Sequence, residues 1–94
     1  MNERITKEKL KKYFDVTGRA IQMAVQSGNR TTLKSQRADF IDMIERYYSD
    51  AKHFEQKGDF VNAFAALNYC HGWLDAGARI GLFDVHDSTL FTAD

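Results

Sequence analysis

Two long stretches with helical periodicity meet at Lys57-Gly58-Asp59, and only Gly58 and Asp59 separate them. Lys57 places a cation in the last turn of the first stretch, and Gly58 stands just beyond it as a helix stop. Asp59 is an N-cap for the second stretch. So short a join forces the two helices to lie antiparallel, which makes a helical hairpin the nucleus of the fold. The chain has no proline, so nothing breaks either arm.

An earlier segment completes the pattern. Leu10, Tyr13, Phe14, Thr17, Ile21 and Ala24 recur at steps of three and four after Thr6, a fair N-cap, and Gly28-Asn29 reads as a stop. Helices are therefore expected at about 7–27, 38–57 and 60–80, with "NRTTLKSQR" as a polar connection in which Thr32 or Ser35 caps the second helix. The second stripe is Phe40, Ile41, Ile44, Tyr47, Tyr48, Ala51 and Phe54. Residues 81–94 read as an irregular tail whose Phe83, Val85, Leu90 and Phe91 give it reason to pack back. No strand alternation is present. The expected fold is all-α, an up-and-down three-helix bundle in one domain, 1–94, with the C-terminal tail packed on it.

The third helix carries most of the information. At 100° per residue, Asn68, Asp75 and Arg79 fall in one narrow row, with His71 about 60° to one side. Phe60, Phe64, Leu67, Leu74 and Ala78 lie on one flank, and Tyr69, Trp73, Ala76 and Ile80 on the other. Opposite the row run Ala63, Ala66, Cys70, Gly77 and Gly81, a ridge where another backbone is expected to come close. Gly72 lies beside the polar row, where a missing side chain leaves room for a partner. A helix apolar on both flanks needs cover on both. Two partner helices, the tail and a homodimer contact near Trp73 are the expected cover.

Composition removes several function classes. Lysine and arginine equal aspartate and glutamate at 13 each, so no net basic domain marks a nucleic-acid binder. The charge is uneven: residues 1–30 hold seven basic against three acidic residues, and 59–94 one against five. Lys7, Lys9, Lys11 and Lys12 read as a solvated helix face. Cys70 is the only cysteine, which excludes an internal disulfide and suits a reducing, cytoplasmic setting. The uncharged run from Phe60 to Leu74 is shorter than the roughly 20 residues that span a bilayer.

Three chemical readings of the residues compete. The plainest is a protein-interaction module, a homodimer or a partner of another protein, binding through Asn68, His71, Gly72, Trp73, Asp75 and Arg79. The same strip offers a small-ligand or metal site from His71 and Asp75, four residues apart and so on one face. Asp84, His86, Asp87 or His53 would have to join it. The spacing matches no strong zinc motif, and neither a metal nor a cofactor is expected. Asp75 and Arg79, also four apart, have the spacing of an ordinary intrahelical ion pair. Cys70 reads as a buried structural thiol.

Resemblances add to these readings. Arg79 and His86, six residues between them, resemble the Arg-x(4–6)-His signature of the HEPN class of helical ribonucleases. That resemblance implies a metal-independent enzyme in which arginine steadies phosphate and histidine transfers protons. Residues 51–67 resemble half of a tetratricopeptide repeat, though one copy makes no array. The densest likeness runs from Tyr47 to Phe83. Tyr47-Tyr48, Gly58-Asp59-Phe60, Ala63, Leu67, Tyr69, Gly72, Leu74-Asp75-Ala76-Gly77, Arg79 and Gly81 resemble the archaeal family called domain of unknown function 357. It implies a short three-helix bundle and an archaeal cytoplasm, and brings no activity, cofactor or catalytic residue.

Overall fold

In a computed structural model, which describes residues 5–92, Thr6 opens the first helix by accepting the Lys9 N–H at 3.1 Å. This helix, α1, spans Lys7–Gln26 and turns Leu10, Thr17, Ala20 and Ala24 inward. The second, α2, spans Lys34–Gln56, and the third, α3, Phe60–Ile80. No strand occurs among the described residues. The expected all-α three-helix bundle is the fold, and the tail packs back on it through the buried side chains of Leu82, Phe83, Val85, Leu90 and Phe91.

The hairpin forms as its join dictates. Gly58 takes a left-handed φ of 76°, which glycine adopts without the penalty of a Cβ. Asp59 then accepts the Asn62 N–H at 3.2 Å. The antiparallel run is visible in the ring contacts: Phe40 meets Trp73 edge to face at 4.8 Å, and Tyr47 stacks on Tyr69 at 5.3 Å. α3 is the central helix. α2 packs along it most extensively and α1 less, while α1 and α2 approach each other closely at hardly any point. Tyr48 wedges between them, its hydroxyl donating to the Phe14 carbonyl at 3.3 Å. The same side chain packs against both core clusters, one around Ile44, Cys70, Leu74 and Phe83 and the other around Leu10, Ala51, Ala63 and Leu67.

Three details of the sequence reading need correction. α2 begins at Lys34, four residues earlier than expected, and neither Thr32 nor Ser35 caps it. Its N-cap is Leu33, which has no capping side chain. The preceding loop supplies the order instead: Asn29 Oδ1 accepts the Thr31 N–H at 2.9 Å, and Thr31 Oγ1 accepts the Leu33 N–H at 3.0 Å. α1 stops without a left-handed glycine, since among the described residues only Gly58 and Gly81 have positive φ. Ser27 closes it, its hydroxyl donating to the Ala24 carbonyl at 2.6 Å. Two further carbonyls are gathered by Arg37 from α2, whose Nη2 donates to Val25 at 3.1 Å and Ser27 at 2.9 Å. The α1 last turn has no basic residue of its own, so Arg37 also supplies the cation that suits a helix C-terminus.

The third correction concerns the small-residue ridge. Over Gly77 sits a ring, not a backbone: a Cβ there would collide with the edge of Phe83. Gly81 has left the ridge to make the C-cap, with φ 90°. That left-handed turn reverses the chain, and the Leu82 N–H then donates to the Gly77 carbonyl at 2.9 Å. Leu82 and Phe83 are thereby folded under α3 and fully buried.

Candidate functional site

The polar row on α3 is split by the returning tail. His71 is half-buried, and its Nε2–H donates to the Leu90 carbonyl at 2.6 Å. A carbonyl only accepts, so Nε2 carries the proton, and Nδ1 faces the Thr17 hydroxyl at 3.4 Å. Asp75 Oδ1 accepts the Thr92 N–H at 3.0 Å and lies 3.8 Å from His71 Nε2. These two side chains fasten the tail to α3 and α1. The expected Asp75–Arg79 ion pair is absent among the described residues. Asp75 has turned toward His71 and Thr92, which offer it a backbone N–H and an imidazole on the tail side.

Asn68, Gly72 and Trp73 belong to a different environment. With Phe40, Tyr69 and Ala76 they line an open, almost wholly apolar depression of about 540 Å³ between α2 and α3. Tyr69, Val61 and Ile80 are 64, 66 and 54 % exposed on the same side of α3. Gly72 is exposed, and a Cβ built on it would meet nothing within 4 Å. Arg79 is exposed two turns further along, close to the azimuth of Gly72, and forms no ion pair among the described residues. The depression has a firm floor, because Phe40 and Tyr47 from α2 brace Trp73 and Tyr69 by ring contact.

The remaining candidates are placed elsewhere. His86 lies beyond the end of α3, on the tail, with Nε2 2.9 Å from Asp84 Oδ1. Arg30 Nε approaches the same carboxylate at 3.4 Å. Asp87 accepts from the Thr89 hydroxyl at 2.6 Å, and the Thr89 hydrogen bonds hold its carboxyl below the usual range. His53 is exposed on α2. No three His, Cys, Asp or Glu side chains cluster to hold a metal among the described residues. Cys70 is fully buried, its thiol donating to the Ile44 carbonyl at 3.3 Å, and burial pushes it up to about 12. Such a thiol carries almost no thiolate and is chemically quiet.

A second hollow of about 640 Å³ separates α1 from α2 over Phe14, Gly18 and Tyr48. Most of its rim charges are occupied, with Arg19 3.8 Å from Asp15 and Lys52 over the Tyr48 ring, while Glu45 forms no ion pair among the described residues. The face near Trp73 differs in having no charge of its own to satisfy. The sequence pointed to Asn68, Gly72 and Trp73 and missed Phe40 and Tyr47 as parts of this face. Both stood in the α2 stripe, and only their pairing with Trp73 and Tyr69 reveals it.

Residues 12–83 match the model of a family described as "Protein of unknown function (DUF357)". No curated protein and no solved structure matches the chain. Among the described residues, no helix is long and apolar enough to cross a membrane.

Proposed function

The chain belongs to the DUF357 family, whose description assigns no activity, and we propose that it is a non-enzymatic interaction module that docks a protein on the open face of α3. One observation carries this reading. A helix of 21 residues leaves Val61, Tyr69, Gly72, Ala76 and Ile80 uncovered, and the one charged side chain beside them before Arg79, Asp75, is turned toward Thr92 and His71. Contiguous apolar surface of this kind costs solubility and marks interaction sites. Gly72 strengthens the case. Inside a helix it costs about 1 kcal/mol against alanine, yet nothing in the monomer needs the space it leaves. A partner's close approach supplies the missing reason.

The module works in a reducing cytoplasm, a setting supported by its single, buried, free thiol. His71 and Asp75 serve the face indirectly, by pinning the tail along one edge of it. The test is native co-purification from the source cell, with light scattering on the pure chain. Wild type is expected to run as an assembly, with itself or with another protein, and Tyr69→Asp to run alone. A strict monomer that retains no partner would remove the reading.

A further inference from the structure

The docking face has a shape of its own, and we infer that its occupant is a second copy of this chain, laid antiparallel along α3 with the twofold axis at Gly72. This rests on the docking reading above and names the partner it leaves open.

Self-complementarity is the first ground. A twofold at Gly72 sets residues equidistant from it against each other. Gly72 then meets the Gly72 of the partner subunit, where two backbones come closest. Asn68 and Ala76, each four residues from the axis, come level, so Tyr69, one residue on from Asn68, lies within about 1.5 Å of level with the small Ala76 of the partner subunit. Large meets small along the strip. Ala65, Tyr69, Gly72 and Ala76 step by four, three and four, the spacing of a helix–helix seam.

Charge is the second ground. Arg79 stands seven residues after the axis and Ala65 seven before it, so the partner's Arg79 arrives level with Ala65. α2 runs antiparallel to α3, with Phe40 against Trp73, the Ile44 carbonyl against Cys70 and Tyr47 against Tyr69. Three residues beyond Tyr47, Asp50 therefore lies level with Ala65. Asp50 is exposed and, like Arg79, forms no ion pair among the described residues. The symmetric arrangement brings these two opposite charges to the same level twice, once at each end.

Area sets the strength. From Val61 to Ile80 the strip is about 29 Å long on a helix about 10–12 Å wide. That is a strip of about 300–350 Å² per copy, with the Phe40–Trp73 depression adding to it, an area in the class of weak, transient contacts rather than of standard-size interfaces. A weak dimer is expected, assembled and dissolved by concentration.

The experiment uses the full chain. Sedimentation equilibrium from about 1 μM to 1 mM is expected to show a monomer–dimer equilibrium, weakened at least tenfold by Arg79→Glu and restored by adding Asp50→Arg. Register is read by oxidation. Gly72→Cys, where a Cβ has open space, is expected to form a symmetric disulfide quickly, because its mate lies across the axis. Ala65→Cys alone is expected to stay reduced, and to cross-link only when mixed with Arg79→Cys. Circular dichroism checks that each variant is folded. Monomer throughout the range, or Ala65→Cys cross-linking to itself as fast as Gly72→Cys, would overturn the inference. Monomer with a different protein co-purifying would do so while leaving the docking reading intact. Monomer with nothing bound would remove both.

Discussion

Gly72→Ala and Gly77→Ala make the same chemical change on the same helix and are expected to differ in stability. Both glycines are inside α3, so alanine brings each the same gain in helix propensity, about 1 kcal/mol. At 72 the added methyl meets nothing within 4 Å. The full gain should appear, raising Tm by about 4–8 °C for a domain of this size. At 77 the methyl meets the Phe83 ring. That ring is fully buried, with the Arg37 guanidinium 5.3 Å from its centroid, so it has little freedom to retreat. Overpacking of this kind costs about 1–3 kcal/mol. The propensity gain cancels between the two variants, so Gly77→Ala should unfold about 1–3 kcal/mol more easily than Gly72→Ala. Urea unfolding followed by circular dichroism at low micromolar protein measures both, with self-association kept out of the balance. Equal stability of the two variants would show that Phe83 does not seat on Gly77. A destabilised Gly72→Ala would show that the α3 face is not open in the monomer.

The same contacts set other expectations. Arg37→Ala removes charged hydrogen bonds to the end of α1 and to the Leu82 carbonyl at 2.6 Å. It should cost about 2 kcal/mol in thermal or urea unfolding, and Arg37→Lys should recover little, because one ammonium cannot span those acceptors. His71→Ala releases the Leu90 carbonyl, so amide exchange at residues 88–92 should quicken while that of the α2–α3 hairpin is unchanged. Cys70 has a folded pKa raised to about 12 by burial, against 9.0 for the free thiol. Its contribution is fully present below about pH 9 and is lost as pH rises from there toward 12, at about 1.4 kcal/mol per unit. Stability should therefore fall more steeply between about pH 9 and 11 in wild type than in Cys70→Ala.

Local signals in the sequence were enough for the elements and not for their neighbours. Thr6 and Asp59 cap α1 and α3 as their positions suggest, because a cap is settled within three residues. Leu67, Cys70, Leu74 and Ala78 are buried as the helical wheel requires. The sequence pointed to the Trp73 flank of α3 as the one left for a partner, but nothing in the helix itself decides this, since both flanks are apolar and only the return of the tail distinguishes them. The same return explains Gly77, whose neighbour Phe83 comes from a reversal at Gly81. It also takes His71 and Asp75 out of the strip through contacts with Leu90 and Thr92. Arg37 escaped notice for a related reason: its acceptors lie on the end of α1 and in the tail, far from it along the chain.

Trp73 is the only tryptophan and stands on the face proposed to be covered, so acrylamide quenching of its fluorescence tests that claim most directly. As wild-type protein is concentrated from about 1 μM to 1 mM, quenching should weaken and the emission should shift to shorter wavelength. Tyr69→Asp should show neither change. Quenching that stays constant across the whole range in wild type would contradict self-association through this face of α3.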